Sequence, residues 1–100
     1  MFIYNVTVNI SNDVHDEWLN WMKKVHIPDV LNTGCFVENQ IVKVLKVEDE
    51  GTTYSLQYKF TDMDILEKYQ TQFAPKLQAE HNSKYKDKFV AFRTILEIIE

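Results

Sequence analysis

Cysteine is nearly missing, since Cys35 is the only one in 100 residues. That excludes an internal disulfide and a metal-thiolate cluster, and it suits a reducing compartment such as the cytoplasm. Glycine and proline are scarce, at two each, so the composition is not that of a collagen-like, linker-rich or disordered chain. No apolar run approaches the roughly 20 residues that span a bilayer. The apolar start Met1 to Ile10 is broken by Asn5, Thr7 and Asn9, carries no basic cluster and has no small-residue cleavage site, so it does not read as a signal peptide. The Asn-x-Ser/Thr matches at Asn5 and Asn9 then read as chance. A basic excess is missing too: 11 Lys and Arg against 15 Asp and Glu give a formal charge of −4. No whole-molecule field draws phosphate backbones or anionic lipid, and neither nucleic acid nor membrane is expected as a partner. No glycine-rich phosphate loop or nucleophile elbow is present.

What is there fits one domain over residues 1–100, because 45% hydrophobic residues in a chain this short support a single core. Residues 2 to 10 alternate, with Phe2, Tyr4, Val6, Val8 and Ile10 on one side and Ile3, Asn5, Thr7 and Asn9 on the other. This predicts a half-buried strand. Ser11, Asn12 and Asp13 are candidate N-caps for a helix from Val14, with Asp16 and Glu17 favoured at the positive end of its dipole. The helix is expected to end or kink near Ile27, because Pro28 lacks an N–H and disfavours αR before it; a further turn then closes at Gly34. Residues 36–48 and 52–60, separated by Glu48-Asp49-Glu50-Gly51, read as a β-hairpin with a solvated acidic tip rather than a calcium loop. Asp62 caps a second helix with Leu66, Tyr69, Phe73 and Leu77 on one face, and Pro75 predicts a kink or a fresh start. Residues 89–99 return to strand composition.

The order β-α-β-β-α-β predicts an α+β, ferredoxin-like antiparallel sheet with both helices on one face. With the first and third strands central, the aromatic residues belong to the helix-facing side. The opposite face carries Asn5, Thr7 and Asn9 beside Ser55, Gln57 and Lys59, and Arg93 or its neighbours join from the last strand. RNA-recognition sheets place aromatic platforms on that open face, so the parity here argues against RNA. An amide-and-hydroxyl face suits water, a second copy of the sheet, or a small polar pocket between two sheets.

Three histidines are the remaining candidates for chemistry. His15 and His26 fall in the apolar arc of the first helix but about 16 Å apart along its axis, too far to share one metal ion. His15, near the helix start, reads as a hydrogen-bonded boundary residue. His26, beside the Pro28 break, is the better candidate for a general acid or base. His81 reads as solvated or boundary, although a single imidazole suffices as an axial haem ligand. Trp18, Trp21 and Met22 read as core, and Cys35 as an inert thiol. No metal or cofactor is expected.

Tyr4-Asn5-Val6-Thr7-Val8, His15 to Met22, His26 to Leu31, Thr53 to Tyr58, Ala74 to Leu77 and Phe89 to Thr94 together resemble a family of short bacterial proteins known only as a domain of unknown function. That resemblance covers nearly the full length and implies no activity. His26-Ile27-Pro28 followed by Gly34-Cys35-Phe36 resembles, over a shorter stretch, the dimeric α/β-barrel superfamily, in which two ferredoxin-like subunits join sheet to sheet. It implies a homodimer with Asn5, Thr7, Asn9, Ser55, Gln57 and Arg93 near the barrel interior. Its relatives include cofactor-free monooxygenases, isomerases, cyclases and haem-degrading enzymes. The haem-degrading branch uses an asparagine, a tryptophan and a histidine; Asn5 and His81 are the counterparts here, but the third strand has Tyr54 and Tyr58 and no tryptophan. Two readings follow. One is a homodimeric binding or structural domain with a small-molecule ligand and no catalysis. The other is a small-substrate enzyme in which His26 and Arg93 act on a ligand held by Asn5, Thr7, Asn9, Ser55 and Gln57. A third, an interaction module built on an exposed edge strand over residues 36–48, rests on unpaired backbone alone.

Overall fold

The computed structural model describes residues 1–46 and 50–100. The strands are β1 (Phe2–Ile10), β2 (Glu38–Lys43), β3 (Thr52–Phe60) and β4 (Phe89–Glu97). The helices are α1 (His15–Trp21), α2 (Ile27–Leu31), α3 (Met63–Gln72) and α4 (Ala74–Lys84). The strands form one sheet in the order β2-β3-β1-β4, antiparallel at each pairing. This is the ferredoxin-like arrangement the element order implies.

Alternation in β1 and β3 translates directly into two faces. Tyr4, Val6, Val8, Ile10, Tyr54, Leu56, Tyr58 and Phe60 are buried, and they share one core with Trp18, Met22, Leu66, Tyr69 and Leu77 from the helices. The opposite positions stay partly open, apart from Thr53, which is buried.

Two expectations at the first helix are corrected. Ser11, Asn12 and Asp13 provide no side-chain cap; the Asn12 amide oxygen accepts from Thr52 Oγ1 at 2.9 Å and Asp13 pairs with Lys88 at 2.6 Å. These side chains tie the entry of the helix to β3 and to the loop before β4. Of the two outcomes expected near Ile27, an end or a kink, the end does not occur either: the helix is distorted there instead, as Met22–His26 widens into a π turn in which the Ile27 N–H reaches the Met22 carbonyl. A wider turn accommodates the missing proline N–H and lets α2 run on to Leu31. Gly34, at φ +79°, then bends the chain back with its N–H on the Leu31 carbonyl.

The second helical region behaves as its sequence suggests. Asp62 accepts from the Asp64 N–H at 2.7 Å to cap α3, and Pro75 sits in the first turn of a fresh helix, α4. The β2–β3 hairpin forms with β2 confined to Glu38–Lys43, shorter than the predicted stretch. Of the expected tip, Glu48 and Asp49 lie outside the described residues. Gly51 has φ +87°, and a Cβ there would fall 2.6 Å from the Ile10 carbonyl oxygen, so this turn admits only glycine without a shift.

Candidate functional site

Between the helices and the buried face of the sheet lies a cleft enclosing about 40 Å³, or about 480 Å³ with its open mouth included. The sheet contributes Tyr4, Tyr58 and Arg93, and the helices contribute Met22, His26 and His81. His26 and His81, 55 positions apart in the chain, face each other with ring centroids 5.7 Å apart.

His81 is positioned by α4. Phe73, Leu77, His81 and Tyr85 recur every four residues, which turns them onto one face of the helix toward the core. His81 is only 7% exposed, which corrects the expectation of a solvated or boundary residue. Trp18, fully buried, donates from its indole Nε1 to His81 Nε2 at 2.9 Å. An indole nitrogen only donates, so Nε2 must be the bare nitrogen and the ring proton sits on Nδ1. Burial, followed by the neighbouring His26, brings the His81 pKa down to about 4, against a smaller opposing effect of the Asn82 side chain. The ring is therefore neutral at neutral pH and donates from Nδ1.

His26 closes the π turn, a distortion that often marks functional positions. Its ring lies 5.3 Å from that of Trp21. Burial, then the charge of Arg93, lowers its pKa to about 4. Its Nδ1 is buried and has no hydrogen-bond partner, the one such side-chain atom among the described residues. Leaving a polar atom so placed costs about 1–3 kcal/mol.

Arg93 is a correction of placement. The register of β1 with β4 sets Arg93 opposite Val6, so its side chain is on the helix side and not on the open face. Its Nε donates to the Tyr4 hydroxyl at 3.0 Å. Burial raises the phenol pKa values of Tyr58 and Tyr69, which keeps both hydroxyls protonated. Among the described residues, the cleft thus combines one permanent cation, two neutral imidazoles and protonated phenols, with no carboxylate in its lining.

Asn5, Thr7, Asn9, Ser55 and Gln57 lie on the other face and do not line this cleft. They bond mainly to one another. Ser55 donates to the Asn5 amide oxygen, Asn5 donates to Thr7 at 3.2 Å, Gln57 donates to Ser55 at 3.3 Å, and Asn9 donates to Thr53 at 3.0 Å. Beside them β4 presents Val90, Phe92, Thr94 and Leu96, which pair with Asn9, Thr7, Asn5 and Ile3. Val90 and Phe92 are 69% and 63% exposed, an apolar edge absent from the sequence reading. His15 is a satisfied boundary residue, bonded to Asp16 and to the Tyr54 hydroxyl at 2.8 Å each.

Residues 1–99 match the family model described as Domain of unknown function (DUF4286). The chain belongs to that family. No curated protein matches the sequence. Among solved structures, an EthD family protein from Bacillus halodurans superposes with a TM-score of 0.73 at 10% identity, covering 99% of this chain and 100% of that one. SnoaB, a cofactor-independent oxygenase from Streptomyces nogalater, gives 0.70 at 12% identity over 99% and 94% of the two chains. MhuD, solved with two manganese protoporphyrin IX per active site, gives 0.69 at 12% identity over 100% and 96%. At these identities the likeness is one of fold, that of the antibiotic-biosynthesis-monooxygenase type of ferredoxin-like protein. A porphyrin does not fit the cleft as folded here: the enclosed space holds roughly three water molecules, and His81 Nε2 is taken by Trp18. Among the described residues no three His, Cys, Asp or Glu side chains converge on a metal position, and no helix is long and apolar enough to cross a membrane.

Proposed function

We propose that this protein is a small homodimeric domain that binds a small molecule in the cleft between its helices and its sheet. The observation that carries the reading is the unpartnered, buried Nδ1 of His26, set beside His81 and Arg93. A group this costly to leave unpaired is supplied with a partner when a ligand enters. The dimer is supported by the open sheet face, whose polar centre is already hydrogen-bonded within itself and whose β4 rim is apolar. Two such faces pack sheet to sheet without stranding polar atoms, placing Asn5, Thr7, Asn9, Ser55 and Gln57 at the subunit contact. A formal charge of −4 and a single buried cysteine support a cytoplasmic setting and the absence of nucleic acid or membrane partners.

A native mass spectrum of the purified protein tests both halves. The expected result is a dimer, with extra mass whenever ligand is retained. A ligand-free monomer at micromolar concentration would reject the dimer, and a His26→Gln variant with unchanged ligand retention would reject the cleft.

The same orphan nitrogen favours a second reading, a small-substrate enzyme in which neutral His26 takes a proton from the bound molecule. Unpaired and uncharged, it is free to accept one, and Arg93 stands near enough to stabilise negative charge left behind. If a retained molecule is identified, His26→Gln should bind it more weakly and fail to turn it over even at saturating concentration; turnover by the saturated variant at the wild-type rate would discard the catalytic role.

A further inference from the structure

We infer that the cleft selects ligands carrying an ionised carboxylate, with its oxygens received by the guanidinium of Arg93 and the Nδ1–H of His81. This rests on the reading of the cleft as a small-molecule site and adds the charge and the recognition chemistry of what enters. Four observations converge on it.

First, the charge balance of the lining is opposite to that of the molecule. The chain carries a formal charge of −4, yet among the described residues the cleft is lined by one arginine and by no aspartate or glutamate. Second, that arginine is not consumed by the protein. Its Nε is occupied by the Tyr4 hydroxyl, and among the described residues no carboxylate forms an ion pair with it. The terminal nitrogens keep the paired donor geometry that suits the two oxygens of a carboxylate. Third, the Trp18 bond fixes the His81 proton on Nδ1, making this imidazole a donor rather than an acceptor. Gln78 and Asn82, three residues before and one after it in the sequence, add amides to the same lining, and the side-chain hydrogen bond of Asn82 to His81 is the contact a bound carboxylate would share or displace. Fourth, the remaining walls are aromatic and aliphatic, including Tyr58, Phe89 and Met22. That suits an organic body attached to the acid group, which free phosphate lacks. A dianionic phosphate would also face a single full positive charge where two are wanted.

The size of the space sets a further limit. About 40 Å³ is enclosed and about 480 Å³ lies within the cleft and its mouth, so the ligand is small, with its acid group inside and little more than one ring beyond it. Bound there, the carboxylate also changes His26. Negative charge beside an imidazole depressed mainly by burial favours its protonated form, in which both ring nitrogens donate, and the isolation of Nδ1 ends.

Benzoate and its neutral isostere benzamide are the probes, followed by imidazole nitrogen NMR of the whole protein, which reports His26 and His81 separately. Benzoate is expected to move both sets of signals saturably, at least tenfold more tightly than benzamide. Arg93→Gln should erase most of that preference, and Arg93→Lys should retain part of it. Because Arg93 is exposed on an edge strand, these variants should keep the wild-type fold, and unchanged amide spectra away from the cleft will establish that. Equal affinity for benzoate and benzamide overturns the carboxylate inference and leaves the cleft reading standing. If neither molecule moves the imidazole signals while neutral benzyl alcohol does, the inference again fails alone. If none of the three does, both fail together.

Discussion

The two faces of this sheet handle polar atoms in opposite ways. On the open face, Asn5, Thr7, Ser55 and Gln57 are linked into a chain of mutual hydrogen bonds. On the helix face, polar groups are fewer and deeper, and the His26 nitrogen has nothing to bond. The more exposed set is linked throughout, while the more buried set, though Trp18 bonds His81 and Arg93 bonds Tyr4, leaves one atom without a partner, the reverse of what solvent access alone would produce. A self-satisfied polar surface can be covered by another protein surface at little desolvation cost. An unsatisfied buried atom instead marks a place where something small is missing. One face therefore suits assembly and the other suits a ligand.

The most direct way to break the helix side is at Trp18, which is fully buried and holds the His81 tautomer. Trp18→Ala should cost about 3–5 kcal/mol in urea unfolding through the void it leaves. Trp18→Phe keeps most of the ring and should cost nearer 1–2 kcal/mol, since it mainly strands His81 Nε2. If the phenylalanine variant is as unstable as the alanine variant, the hydrogen bond to His81 rather than packing dominates. If both are near wild type, the buried pair contributes nothing.

The next largest effect is that of pH. Both imidazoles have pKa values near 4 in the folded chain, against an ordinary 6.5. The unfolded chain takes up protons first as pH falls, so the native advantage is complete above about 6.5 and is lost progressively toward about 4. A shift of this size corresponds to roughly 3 kcal/mol for the well-buried His81, with less added by His26 because the two are coupled. Urea midpoints between pH 7 and pH 4 should fall accordingly, and the double variant His26→Gln/His81→Gln should flatten that part of the curve. An unchanged slope in the double variant would assign acid sensitivity to other groups. The open face, without titrating groups in its central network, has no such signature.

The open face is tested by Phe92→Glu. Phe92 is 63% exposed and lies beside Thr7, so the change should leave monomer stability within about 0.5 kcal/mol. It should weaken a sheet-to-sheet dimer at least tenfold, about 1.4 kcal/mol or more, as read by sedimentation equilibrium. A dimer of unaltered affinity would move the subunit contact elsewhere.

How far the sequence reaches differs between the two faces for physical reasons. Strand alternation is a local signal of period two, and it assigned the sides of β1 and β3 residue by residue, including the polar set from Asn5 to Gln57. The mutual register of β1 and β4 is not local. Val6 pairs with Arg93, so odd positions of β4 stand beside even positions of β1, and no pattern within either strand announces that pairing. That is why Arg93 was expected on the wrong side, and why the exposed Val90 and Phe92 rim was missed. The cleft was half legible. His26 stood out through Pro28, but the π turn that carries the helix past proline has no reliable sequence mark. His81 was legible in principle, since its spacing of four from Leu77 and from Tyr85 puts it on the apolar face. Its polarity invited a solvated reading, and only the partner Trp18, 63 positions away, makes its burial tolerable.

The smallest expected effect sharpens the comparison most finely. Glu38 and Lys59 form an ion pair of 3.3 Å on the open face, with the lysine side chain 39% and the glutamate 64% exposed. In a monomer such a pair contributes about 0–0.5 kcal/mol, so Glu38→Gln should be nearly silent in the Phe92→Glu background. In the dimer the same pair is shielded from water, and removing one partner leaves a buried charge whose loss should exceed about 1 kcal/mol. The difference between the two backgrounds, taken as a double-mutant cycle by urea unfolding at fixed protein concentration, measures how much solvent the face loses on assembly. A cycle that closes to within about 0.3 kcal/mol would mean that this corner of the sheet stays wet, confining the contact to the β4 side, where the exposed apolar side chains are.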